Sequence, residues 1–341
     1  MQNSVKYCSK RTNKIKWLYF AGFLLFGAAV VTGLMLGSTR ISFSQIQQAL
    51  TNGFDASAEA RILGYVRLPR TAAALVCGAA LAVSGAVIQG VLANRLASPS
   101  VIGVNAGAGV AVTLCTALGI YGGWQLSAFA FIGAFTAVML VSLGAKKWGA
   151  SRGTVILIGV AMNSLLGAVS DAIVTFSPNV GVMSNDFKIG EFSAVTYQKL
   201  IPAAVIIVIA VLILFTLNNE LDVLTLGEDN AKGLGMNISC MRTLFLLLAA
   251  LLAGCAVSIA GLLSFVGLIV PHAVRRIAGS KSIHLLGLCA LFGAAFVCIC
   301  DTIARTAFSP YEIPVGIIMA FLGAPFFLLI LIKGKGGHAR D

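Results

Sequence analysis

Charge is scarce in this sequence. Only 11 % of its 341 residues are Asp, Glu, Lys or Arg, against about 25 % in a soluble domain, while 58 % are hydrophobic and the mean hydropathy is +0.95. That scarcity excludes an ordinary soluble domain and leaves a polytopic, all-α membrane protein. Acidic residues are scarcer than basic ones, 12 against 24, so the formal net charge is +12. The basic residues stand singly or in small groups between apolar runs, not clustered on a soluble face. The excess therefore reads as positive-inside topology, and no nucleic-acid partner is expected.

Signatures of catalysis are missing as well. No G-x-x-x-x-G-K-[ST] phosphate loop occurs, and the glycines of VNAGAGVAV (104–112) carry neither a lysine nor dinucleotide spacing. They read as a close-packing helix face. His272, His284 and His338 lack metal-ligand spacing, and no Ser or Cys nucleophile stands beside a base, so no enzyme activity, cofactor or resident metal is expected. The eight cysteines form no CxxC pair and mostly lie in apolar stretches, as small core residues do.

Long apolar runs, by contrast, are abundant. A bilayer core takes about 20 residues per helix, and such runs fall at 17–37, 68–91, 101–118, 124–145, 153–175, 199–217, 241–262, 264–275, 284–304 and 314–332, about ten spans. The first is too long for a signal-peptide core and has no A-x-A-like site after it, so it is expected to stay as a membrane helix. The expected layout is a basic cytosolic tail (1–16), one membrane domain (17–332) with a cytosolic loop at 218–240, and a cytosolic tail (333–341). With the N-terminus inside, 17 of the 24 basic residues fall on the cytosolic side, which supports this orientation. A faint echo, Gly78-x-Ala80 with Gly85 and Gly254-x-Ala256 with Gly261, is what an inverted repeat would leave, or chance among so many small residues.

Three places stand out against this background. In YVRLPR (65–70), Arg67 and Arg70 lie on the outside. Pro69 reads as a first-turn residue, which would put Arg70 at a positive helix end at a cost of about 0.3–1 kcal/mol. The charge calls for an acidic partner, on another protein, on lipid phosphate or on a local carboxylate such as Glu59. Asp171 and Asp301 fall near outer helix ends, where a structural hydrogen bond or a proton relay would each account for them. The cytosolic loop NNELDVLTLGEDNAKGLGMNISCMR (218–242) is acidic where loops are normally basic. It keeps an apolar spacing broken by Gly227, Gly233 and Gly235 into two short helices, the pattern of a docking knob rather than a solvated connection.

Four segments carry a resemblance: RLPRTAAALVCGAALAVSGAVIQGVLANRLASPSVIGVNAGAGV (67–110), LTLGEDNAKGLG (224–235), GLLSFVGLIVPHAVRRIAG (261–279) and DTIARTAFSPYEIPVGIIMAFLGAPFFLLIL (301–331). In order and over nearly the whole chain they resemble the FecCD family, the permeases of ATP-binding-cassette (ABC) importers for iron-siderophores, haem and vitamin B12. The resemblance implies a ten-helix type II importer permease in the cell membrane. Its implied partners are a second permease chain, identical or related, a cytosolic ABC ATPase dimer and an external substrate-binding protein. By motif, Leu226, Gly227, Glu228, Ala231, Leu234 and Gly235 would couple to the ATPase, and Arg67, Arg70 and Arg305 would meet carboxylates of the binding protein. The inner gate would lie at Ser151, Arg152, Gly153 and Thr154, where the charged Arg152 departs from the family's Ser and Thr. A ferric siderophore is the expected cargo, with haem or cobalamin, or an ion-coupled carrier using Asp171 or Asp301, as alternatives.

Overall fold

The computed structural model describes residues 2–37, 39–147 and 152–335. Apolar runs with no water to bond their backbone must satisfy it internally, and among the described residues the chain does so with helices and no strand. The order is α1 (Gln2–Met35), α2 (Phe43–Asn52), α3 (Ala58–Ile62), α4 (Leu68–Val91), α5 (Val104–Ala117), α6 (Gly123–Lys147), α7 (Arg152–Phe176) and α8 (Pro178–Met183). There follow α9 (Asn185–Ile189), α10 (Tyr197–Thr216), α11 (Asn218–Thr225), α12 (Glu228–Gly233), α13 (Ile238–Ala260), α14 (Val266–Ala278), α15 (Ser282–Thr306) and α16 (Val315–Lys335).

Each of the ten expected spans coincides with a helix: α1, α4, α5, α6, α7, α10, α13, α14, α15 and α16. Seven are long and apolar enough to cross a membrane, with α3 and α4 joined in one span, Ala58–Val91. The 14 residues of α5 reach only about 21 Å at 1.5 Å per residue. Helix α14 is shorter still and contains Pro271. Helix α1 starts at Gln2, so the basic segment expected as a separate tail continues the first helix.

Helix α4 is the hub, packed against α13, α14 and α15, and 78 % of its most apolar stretch is buried, as in α13. Small residues make this possible. A Cβ on Gly78 would strike the carbonyl oxygen of Gly293, and one on Gly85 that of Gly267, so α4 meets α15 and α14 backbone to backbone. Gly107 and Gly133 do the same between α5 and α6, as expected of the 104–112 glycines, whereas Gly109 faces open space. The echoed pairs do not repeat a contact. Gly254 abuts the Phe131 ring, and Gly261, at φ +72°, closes α13 against the Phe187 carbonyl. Cys77, Cys115, Cys255, Cys289, Cys298 and Cys300 are buried and free, while Cys240 is exposed. In α1 and α7 only 17 % of the apolar stretch is buried, so these helices present broad apolar faces.

Candidate functional site

Local structure changes the environment of the arginines in YVRLPR. Helix α4 does not begin at Pro69. A π turn (Leu63–Arg67) joins α3 to α4, and Leu68 N–H bonds back to the Leu63 carbonyl, so the helix runs on from Ala58. Arg70 thus lies well inside a continuous helix, where the end-dipole penalty, confined to the first turn, does not apply.

Its acidic partners are in the same chain. Arg70 Nε and Nη2 donate to Asp301 Oδ1 at 3.1 and 3.0 Å, and Nη1 donates to Glu312 Oε2 at 2.7 Å. Arg305, one turn beyond Asp301 on α15, donates to the Gly33 carbonyl at 2.6 Å and holds its Nε 3.6 Å from Asp301 Oδ2. Arg67 donates to the carbonyls of Leu34, Leu36 and Thr39, at the end of α1 and just past it, where helix carbonyls lack partners of their own. A side chain on Gly37 would collide with that guanidinium. Arg67, Arg70 and Arg305 are 4 %, 7 % and 2 % exposed and Asp301 1 %. The contacts of all three lie within the chain and their burial leaves little guanidinium surface for an outside protein, with Arg305 Nε facing Asp301 only as an ion pair; Glu59 is exposed and takes no part among the contacts they make. Asp301 is clamped between two guanidiniums.

The 218–242 loop folds as its glycines suggest. Helices α11 and α12 meet at Gly227, with φ +108°, a conformation that L side chains rarely adopt. Leu221, Leu224 and Ala231 are buried and anchor the elbow, and Asp222 accepts a hydrogen bond from Ser282 N at the start of α15. Leu226 and Leu234 are 61 % and 68 % exposed and point away. Glu228 is bonded to Arg242 Nη2 at 2.5 Å and lies 3.7 Å from Arg152 Nε. Of the gate expectation, Ser151 lies outside the described residues, Gly153 is exposed, and Arg152 turns its guanidinium onto the α11–α12 elbow.

Between α5, α7 and α9 an open cleft of about 560 Å³ carries Ser100, Asn105, Asn163, Ser170, Asp171 and Lys188 on its walls. Asn163 donates to the Ser100 carbonyl at 2.8 Å, and Gly159 lets α7 ride directly on the Val101 carbonyl. Asn105 and Asn163 stand as single amides in apolar helices, and Gln89, in the apolar α4, meets Arg275. There Arg275 binds the Gln89 side-chain oxygen and the Ala86 carbonyl, and Gln89 donates to Gly267 at 3.0 Å, tying α14 to α4. An amide within an apolar run was the available signal in each case.

The sequence profile of the FecCD transport family matches residues 24–333. The chain belongs to the FecCD transport family. It is 33 % identical over 326 residues to the Fe(3+)-citrate import system permease protein YfmD of Bacillus subtilis, covering 96 % of this chain and 97 % of that one. It is 37 % identical over 281 residues to the vitamin B12 import system permease protein BtuC of Vibrio cholerae, covering 81 % and 84 %. A solved structure of a metal-chelate type ABC transporter in an inward-facing conformation superposes with a TM-score of 0.80 at 31 % identity, covering 94 % of this chain and 99 % of that one. FecCD proteins are permease subunits of ABC importers, and this chain is accordingly a multi-pass membrane permease.

Proposed function

We propose that this FecCD permease carries a ferric chelate of the siderophore class from an external binding protein to the cytosol, by alternating access driven by a separate ATPase. The observation that carries the reading is the cytosolic elbow. Its anchoring leucines are buried while Leu226 and Leu234 stand exposed on a surface where apolar side chains need a covering partner. The likeness to an iron-citrate permease and to a metal-chelate transporter supports an iron chelate, while the likeness to vitamin B12 permeases is equally consistent with cobalamin. The polar cleft beside α7 serves as one wall of the pathway, and the open face of α7 meets a second permease chain. Gly153 and Thr154 at its cytosolic end contribute to the inner gate.

The binding protein docks on the outer face. Arg67, Arg70 and Arg305 act there from within, fixing α1, α4, α15 and the 307–314 segment, and the exposed Arg40 and Arg61 meet the partner's carboxylates. Such exposed pairs give only about 0.2–1 kcal/mol each. The test is reconstitution with the ATPase and binding protein encoded beside it, followed by ATP-dependent uptake of ferric siderophore, ferric citrate, haem and cobalamin. Saturable uptake of a ferric siderophore is expected, and selective uptake of cobalamin or haem would replace it.

A further inference from the structure

Helix α7 forms a wall of the cleft through Val160, Asn163, Gly167, Ser170 and Asp171, and its cytosolic end begins at Arg152. That residue is 72 positions from Leu224 in sequence, yet Arg152 Nη2 donates to the Leu224 carbonyl at 3.2 Å. The same guanidinium holds its Nε 3.7 Å from Glu228 Oε1. Leu224 lies in the last turn of α11, where carbonyls lack helical partners and the helix dipole favours a cation. Glu228 is the first residue of α12, where the dipole favours an anion. One guanidinium therefore spans both sides of the Gly227 elbow.

Glu228 Oε1 also binds Arg242 of α13, which is 4 % exposed and fixed in the core. The carboxylate thus joins an immobile cation to one at the base of the pathway helix. The two attachments differ in quality. The bond to Arg242 is short, whereas Arg152 Nε has no hydrogen-bond partner and faces Glu228 only as an ion pair. When the elbow shifts, the looser contact is the one with freedom to lengthen or tighten.

We propose that Arg152 is a strut that carries displacement of the α11–α12 elbow to the foot of α7, a positioning residue for transport rather than a gate side chain. This rests on the reading that the elbow receives the ATPase, and the experiment separates the two. The full complex, permease with ATPase and binding protein, is reconstituted as wild type, Arg152→Gln, Arg152→Lys and Arg152→Gln/Glu228→Gln. Uptake per ATP hydrolysed is measured in the same vesicles, and ATPase retention on purification is measured beside it.

Arg152→Gln is expected to keep its ATPase but to lose about tenfold in uptake per ATP, the scale of one hydrogen bond to a charged group. Arg152→Lys, which keeps the charge near Glu228 but not the planar fork, recovers part of that loss. The double variant is at least as impaired as Arg152→Gln, because Glu228→Gln also removes the counter-charge of Arg242. Wild-type coupling in Arg152→Gln, or loss of the ATPase from it, overturns the strut. Should Arg152→Gln not fold, Arg152→Lys with wild-type coupling overturns it equally. The underlying reading fails separately if Leu226→Glu/Leu234→Glu still retains the ATPase.

Discussion

Asp301 is the residue on which this end of the helix bundle turns, since among the described residues it is the one buried carboxylate that faces two buried guanidiniums. Removing one partner of a buried pair typically costs about 3–5 kcal/mol, because the remaining charge is left uncompensated. Asp301→Asn is expected to lower the unfolding temperature of the purified protein markedly. Glu312, whose side chain is 38 % exposed, lets Arg70 keep its buried partner, so Glu312→Gln is expected to cost about 1 kcal/mol or less. Thermal unfolding in detergent compares the two, and equal losses would refute this ranking. YVRLPR made the need for a carboxylate legible. It could not show where the carboxylate lies, because Asp301 is 231 positions away.

At the scale of elements, helix contacts are set by what is missing at glycines. Gly85→Ala is expected to destabilise by about 1–3 kcal/mol, because its Cβ would meet backbone and not a side chain that can move. Gly109→Ala, with nothing within 4 Å, is expected to leave stability unchanged. Parallel melting curves check the pair. Glycine spacing pointed to close packing, yet 107 and 109 look alike in sequence and differ only because α6 lies over one of them. The same limit applies to α3 and α4. Pro69 reads as a helix start, but the π turn before it carries the helix through a residue that has no N–H to donate.

For the whole molecule, topology is the property to test. Cys240, the exposed cysteine among those described, lies near the start of α13 on the side assigned to the cytosol. In a Cys8→Ser background, a membrane-impermeant maleimide is expected to label Cys240 in inside-out vesicles and not in right-side-out ones. Labelling from the outside would invert the assignment. Docking of the external binding protein is expected to weaken as salt rises from 0.05 to 0.5 M, because the Debye length falls severalfold over such a range. Salt-independent binding would argue for an apolar contact in place of Arg40 and Arg61.

The places of the helical segments among the described residues and the two-helix elbow were legible in the sequence alone, and the excess of cations on one side is what proposes their orientation. Each rests on a local property: an apolar run must bond its own backbone in lipid, cations collect on one side, and glycine ends or bends a helix. Tertiary structure decided where the charges find their partners. Arg70 meets Asp301, Arg152 meets Glu228 and Arg275 meets Gln89 only after distant helices pack, and no periodicity links those positions. A buried charge in an apolar protein must be answered somewhere, but the answering group is chosen by the fold, because helix packing alone brings such remote residues within bonding distance.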